Sequence, residues 1–302
     1  MPQRSRAGSS TPPTGRDHGS AGMHDAALQH SPAQTARIAR TAKTVKTAQK
    51  AQKAQTAQTA KTAKTTKTAQ PLPESAAASP AGGQADAETA LAQALTSLHL
   101  PLEPEIRRRL LDYLGLLAKW NAVYNLTAIR DPGQMLVAHL FDCLAIVAPL
   151  RERALLEAGT TVLDVGSGAG LPGALLAMLA PEVEVHCVDA VGKKAAFVAQ
   201  LRAELGLANL HAHHARVERL RAPRDLAPAA LIVSRAFASL AQFVECSAHL
   251  LAPGGSWAAM KGQMPDDEIA ALPASIVLSA AIKLEVPGLE AQRHLLLLRA
   301  RG

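Results

Sequence analysis

The chain has 302 residues, enough for one domain of about 200 residues with a large core plus an extension. Its 32 Lys and Arg against 25 Asp and Glu are unevenly spread: residues 1–70 hold 12 and 2, and the remainder holds 20 and 23. The basic excess therefore sits at the start of the chain, which excludes a uniformly basic nucleic-acid-binding domain and leaves a local patch as the way to hold RNA. No run approaches about 18 uninterrupted apolar residues and no signal-peptide pattern opens the chain, so the sequence predicts a soluble, cytoplasmic protein without membrane attachment. Cys143, Cys187 and Cys246 are widely separated and form no C-x-x-C motif, which argues against a metal or redox centre and fits a reducing compartment.

From Thr35 to Gln70 the text is almost only Thr, Ala, Lys and Gln. Such a segment buries too little apolar surface to offset its ordering entropy, so it is expected to be disordered. A Pro, Ala and Gly-rich linker, Pro71 to Gly83, follows, and we expect a basic extension over residues 1–85 and a folded domain over 86–302. Within that domain, 86–155 reads as a helical part. Helices are predicted at Glu88 to Leu98, from about Pro104 (Ile106, Leu110, Leu114 and Leu117 at helical spacing) and from Met135 to Ala148. Arg107, Arg108 and Arg109 read as a solvated face, and Trp120, Asn121, Tyr124, Asn125 and Thr127 cluster near a helix end. His139 reads as a packing residue.

Residues 156–302 alternate strand and helix. A short apolar strand, Thr161 to Val165, runs into Gly166, Gly168 and Gly170, and Pro172 suits the first turn of the helix beyond. Further strands are expected at Val183 to Val188, Asn209 to Ala212, Ala229 to Ser234 and Trp257 to Lys261, the last entered by a Pro253-Gly254-Gly255 turn. Helices are expected at Lys193 to Leu205 and Ser239 to Leu251. Two late strands, Ile276 to Val286 and His294 to Arg299, are joined through Pro287-Gly288. This is an α/β pattern, a doubly wound, mostly parallel sheet closed by a C-terminal hairpin, with N-terminal helices. Ligands of such sheets bind at the carboxyl ends of the strands, which gathers Gly166, Asp189, the Arg216 to Glu218 turn and Arg235 around one crevice.

Gly168, Gly170 and Gly173 also satisfy the dinucleotide pattern G-x-G-x-x-G. Asp164 just ahead of the loop would repel a pyrophosphate and suits a ligand with a cationic amine, such as S-adenosylmethionine. Asp189, at the end of the second strand, could accept hydrogen bonds from ribose hydroxyls of either cofactor, so it leaves both open.

Five motifs in order carry a resemblance. They are Lys119-Trp-Asn-x-x-Tyr-Asn-Leu-Thr127, Asp164-Val-Gly-x-Gly-x-Gly-Leu-Pro-Gly173, Arg216-Val-Glu218, Ser234-Arg-Ala-Phe-Ala-Ser-Leu240 and Lys261-Gly-Gln-Met-Pro265. Over roughly Leu91 to Ala300 the chain resembles the RsmG family, also called glucose-inhibited division protein B. The resemblance implies a Rossmann-like class I methyltransferase that uses S-adenosylmethionine to make 7-methylguanosine in 16S (small-subunit) ribosomal RNA, acting on the RNA or a pre-ribosomal particle as a monomer. It puts cofactor contacts on Gly166, Leu171, Val217, Glu218 and Arg235, beside Asp189 from the strand-end argument. No general base is implied, so no catalytic residue is assigned. Methylation of another RNA, a protein or a small molecule, or cofactor binding without activity, are the alternatives. One departure is Ala138, where the family usually has Arg before the histidine; Lys193, Lys194 or the extension would then hold phosphates. Cys143 stands where Ser is usual.

Overall fold

The fold comes from a computed structural model, which describes residues 81–301. The extension expected over residues 1–85 thus lies almost wholly outside the described residues. Two helices open the domain, α1 (Ala81–Ser97) and α2 (Pro104–Tyr124). The first starts earlier than Glu88 because Ala81, Gln84, Ala85 and Ala87 favour helix. In α2, Leu110, Tyr113, Leu117 and Asn121 recur every three or four residues and form the buried stripe. Arg108 and Arg109 bond to Glu105 on the solvated face the sequence suggested, whereas Arg107 is half-buried, with its Nε out of solvent.

The third helical segment, here α3, is broken into Pro132–Met135, a π-helical turn Leu136–Phe141, Asp142–Leu144 and Val147–Arg151. By length and composition it could cross a membrane, but 67% of its apolar window is buried, so its apolarity is that of a core helix.

The remainder alternates as β1 (Thr161–Val165), α4 (Gly173–Leu179), β2 (Glu184–Asp189), α5 (Gly192–Glu204), β3 (Leu210–His214), β4 (Ala229–Arg235) and α6 (Leu240–Ser247). It ends with β5 (Leu251–Lys261), α7 (Asp266–Ala270), β6 (Ile276–Leu284) and β7 (Arg293–Ala300). The seven strands lie in the order β3-β2-β1-β4-β5-β7-β6. The first five are mutually parallel, and β7 runs antiparallel to both β5 and β6.

Strand alternation divides two cores. Val162, Val185, Cys187 and Val233 face a cluster shared with α1 to α5, while Leu163, Val165, Ile232 and Trp257 face a second one with Phe243 and Val244 of α6. The expected turn at Pro253-Gly254-Gly255 is instead a bulge inside β5: Leu251 already pairs with Ala229, the register shifts, and Ser256 pairs with Leu231. Gly254, at φ +75°, absorbs the excess.

The β1 to α4 junction is packed to the limit. A Cβ on Gly173 would stand 2.5 Å from Cys187 Sγ and 2.9 Å from Asp164 Oδ2. Gly173→Ala should lower stability by about 1–3 kcal/mol in urea unfolding, and Cys187→Ala in the same chain should recover part of the loss. Equal unfolding midpoints for Gly173→Ala and wild type would contradict this packing account.

Candidate functional site

Strand order makes the carboxyl ends of β3, β2, β1 and β4 neighbours, and the glycine loop leaves from the middle of that row. The loop is held to the sheet by its own backbone: the Gly166 and Ser167 amides both donate to Val188 O, at 2.9 and 3.2 Å. Side chains hold it from three further directions. Ser234 Oγ donates to Val165 O (2.7 Å), Tyr113 of α2 donates its phenol to Ala169 O (3.0 Å), and the Gly168 amide donates to Asp189 Oδ2 (3.0 Å). The other oxygen of Asp189 accepts the Val191 amide at 2.8 Å, so this carboxylate shapes both the loop and the start of α5.

The glycines of the loop are not equivalent. Gly166 and Gly168, at φ +69° and +60°, have no side chain over their Cα positions: a Cβ on Gly166 would project into open space, and one on Gly168 would meet only the Gly166 carbonyl oxygen, at 4.0 Å. Gly170, at φ +77°, would push a Cβ against Ala174 and Val198, and Gly173 against Asp164 and Cys187. The first pair forms an open cradle; the second pair allows close packing.

Asp164, read from sequence as facing a cationic amine, is corrected by the structure. It is fully buried beneath the loop, and its Oδ2 accepts the Gly173 amide at 2.8 Å. Its Oδ1 and the neighbouring Ser167 Oγ are buried without a partner. Burial pushes the Asp164 carboxyl up to about 7, against the lowering effects of the Gly173 amide and Arg235.

Arg235 ends β4 and turns back towards α3. Its Nη1 donates to Ala138 O at 2.9 Å and lies 3.5 Å from Asp142 Oδ2, while Arg293 Nε donates to Asp142 Oδ1 at 2.9 Å. The buried Asp142 thus joins β4, β7 and α3. The π-helical turn matters here, because i→i+5 winding loosens in-helix claims on a carbonyl and Ala138 O takes the guanidinium. Sequence reading missed this cluster and the brace behind it. Lys261 Nζ bonds Glu268 (2.8 and 3.0 Å) and Phe237 O (3.3 Å), and Glu268 Oε2 accepts the Leu240 amide at 2.8 Å, fixing the segment after Arg235. The positive φ of Ala236, +63°, marks the tight turn this brace holds.

The remaining sequence candidates are distributed as follows. Glu218 is exposed on the short turn Val217–Arg219 after β3, and the Val217 side chain is buried in the second core. Leu171 is 2% exposed, so its side chain belongs to the first core and its main chain to the loop. Lys194 stands 3.7 Å from Asp189 and Lys193 Nζ bonds Tyr124 O at 2.6 Å, which gives both lysines structural partners at the rim. In the Trp120 to Thr127 cluster, Asn121 and Thr127 are spent inside: Thr127 N donates to Asn121 Oδ1 (2.9 Å). Its hydroxyl, which accepts the Ile129 amide, lies 3.1 Å from Nε2 of the buried His139. Among the described residues, no group of three His, Cys, Asp or Glu could hold a metal ion.

The Asp164 assignment has a pH consequence. A folded value near 7 against 3.8 unfolded means that the folded state binds more protons between these limits, so its contribution to stability falls as pH rises through them. His186, pushed down to about 3 by burial against His211 and His213, acts in the opposite sense between about 3 and 6.5. The histidine contribution cancels between wild type and Asp164→Asn. Wild type should therefore lose stability relative to Asp164→Asn from pH 4 to 7 in denaturant titrations; a constant difference would contradict the assignment.

Comparison with known proteins agrees with this geometry. A family profile described as rRNA small subunit methyltransferase G matches residues 106–296. Ribosomal RNA small subunit methyltransferase G of Acidovorax ebreus (strain TPSY) is 51% identical over 219 residues, covering 70% of this chain and 95% of the relative. The protein of that name from Leptothrix cholodnii is 53% identical over 219 residues, covering 72% and 98%, and that of Burkholderia lata is 51% identical over 219 residues, covering 72% and 94%. With its strand order, its glycine cradle and these matches, the chain belongs to the rRNA small subunit methyltransferase G family.

Proposed function

We propose that this protein transfers a methyl group from S-adenosylmethionine to N7 of a guanosine in 16S ribosomal RNA. Family membership over residues 106–296 is the observation that carries the reading. The cofactor supplies an electrophilic methyl group on a sulfonium. The residues fit it: Gly166 and Gly168 leave open space above the main chain, where a close-lying ligand needs it. Asp189 keeps a second lone pair on each oxygen for ribose hydroxyls beyond those taken by the Gly168 and Val191 amides. Leu171 and Val217 have buried side chains; the Leu171 amide is on Ser167 O and the Val217 carbonyl takes the Leu220 amide, so the Leu171 carbonyl and the Val217 amide are the backbone groups they would offer, with the polar groups of Glu218 and Arg235 at the flanks.

Guanine N7 already carries a free lone pair, so methylating it requires no proton abstraction. The local chemistry accords with that. Asp164 is buried under the loop, Asp189 is held by two amides, and the ring of His139 is buried with its basicity lowered by burial and by Arg235. What the chain contributes is alignment, the methyl acceptor being held in line with the bond that breaks, by groups already fixed before it arrives. On the cofactor side Arg235 is fixed in this way, oriented by Asp142 and Ala138 O. On this reading the protein works in the cytoplasm as a monomer. Its methyltransferase domain spans 86–302, and the basic residues 1–85 add salt-dependent attraction to RNA.

Mass spectrometry of nucleosides from small-subunit rRNA, in cells with and without the gene, tests the reading. Loss of one 7-methylguanosine, restored by wild type and by Gly206→Ala but not by Gly166→Val, is expected. Gly206 also has positive φ (+63°) and open space, but it ends α5 away from the cradle, so it controls for backbone strain. An unchanged nucleoside profile would remove the rRNA assignment.

A further inference from the structure

Among the described residues, the large hydrophobic side chains left in solvent are Val123 (65% exposed), Tyr124 (46%), Val191 (40%) and Val277 (38%). Val123 and Tyr124 are consecutive at the end of α2. Lys193 Nζ donates to Tyr124 O at 2.6 Å and so joins the end of α2 to the start of α5, whose N-cap residue is Val191. Val191 lies two residues beyond Asp189 at the carboxyl end of β2, so the patch forms part of the rim of the proposed cofactor crevice.

Tyr124 is backed rigidly. Its ring centroid is 4.9 Å from that of Trp120, which is 5.4 Å from Phe197, and Phe197 is 6.3 Å from the buried Tyr113. This row of rings runs from the core to the surface and ends in an aromatic that the fold leaves uncovered. Exposed cations flank it: Lys193 holds the Tyr124 carbonyl, Arg130 bonds the side chain of Asn125, the αL residue (φ +50°) that caps α2, and Lys119 is exposed one residue before Trp120. The carboxylate in this segment, Asp131, is engaged in capping the next helix through the Gln134 amide at 2.8 Å.

An exposed aromatic flanked by cations matches a polymer that offers flat bases and phosphates together. We propose that Tyr124, with Val123 and Val191 beside it, is a stacking platform for an unpaired base of the RNA substrate, and that Lys119, Arg130 and Lys193 meet the adjoining phosphates. This rests on the reading that RNA is the substrate and names the surface that receives it. It also gives the exposed part of the Trp120 to Thr127 motif a role that Asn121 and Thr127, spent on internal hydrogen bonds, do not have.

The full-length protein, a protein-free small-subunit rRNA transcript and S-adenosylmethionine suffice for the test. Tyr124→Ala should bind the transcript about 10-fold more weakly, as expected for loss of one stacked base, and Tyr124→Phe should bind like wild type. The slope of log affinity against log salt should stay unchanged in Tyr124→Ala, whereas Arg130→Gln should lower it by about one. Affinity for S-adenosylmethionine should be the same in all of them. Trp120 adds a direct signal: the only other tryptophan, Trp257, is buried, so RNA should quench wild-type fluorescence and leave Trp120→Phe unchanged. Wild-type RNA affinity in Tyr124→Ala would overturn the platform, and so would loss of cofactor affinity in its place, which would assign the patch to the cofactor's adenine. If wild type leaves no mark on small-subunit rRNA in cells, the substrate reading and the platform both fall; an intact mark with an unaffected Tyr124→Ala removes the platform alone.

Discussion

A buried hydrogen bond of 2.8 Å, from the Gly173 amide to Asp164 Oδ2, is the constraint on which the glycine loop depends. It ties the carboxyl end of β1 to the first residue of α4, and the intervening loop must close over it. The close approach is possible because Gly173 has no Cβ and because Gly166, Gly168 and Gly170 accept left-handed backbone. Burying a carboxyl group with one unpartnered oxygen is unfavourable, and the raised affinity of Asp164 for a proton expresses that cost. What it secures is a loop held from below by Asp164, from the flanks by Asp189 and Ser234, and from the helical side by Tyr113.

The opposite wall of the crevice depends on a second group of long-range contacts. Asp142 on α3 receives Arg235 from β4 and Arg293 from β7, and the Lys261–Glu268 pair fixes the turn that follows Arg235. Helical and sheet parts of the domain are thereby joined at the site itself. A group oriented in advance loses less entropy when a ligand arrives, which is how a reaction without proton transfer can be accelerated by geometry.

Much of the fold was legible because its signals are local. β1 and β2 are short, mostly apolar runs, the first with Asp164 in it and followed by Gly166, the second ending in Asp189, and Gly206, Ser239 and the Pro287-Gly288 turn mark element ends through their own conformational preferences. The candidate residues Gly166, Asp189, Glu218 and Arg235 could be gathered because parallel strands bring their carboxyl ends together whatever the connections between them. What sequence reading missed is non-local or geometric. The partners of Arg235 lie on α3, far from it in the chain, and nothing in the residue types of Leu136–Phe141 announces a π-helical turn. The direction of Asp164 was misread because a carboxylate before a glycine loop can face up towards a ligand or down towards the helix start, and the Gly173 amide, brought over it by the fold, selects the second. The bulge in β5 was read as a turn because Pro-Gly-Gly serves both, and the pairing of Leu251 with Ala229 depends on the neighbouring strand.

The central claim is that one cofactor lies across the open glycines and the ends of β2, β3 and β4. Amide hydrogen exchange with and without S-adenosylmethionine tests it most directly. The account predicts slower exchange in peptides covering residues 166–168, 189–191, 217–218 and 235–237, with α1 and the β6–β7 hairpin unaffected. Protection confined to other segments, or none at saturating cofactor, would contradict it.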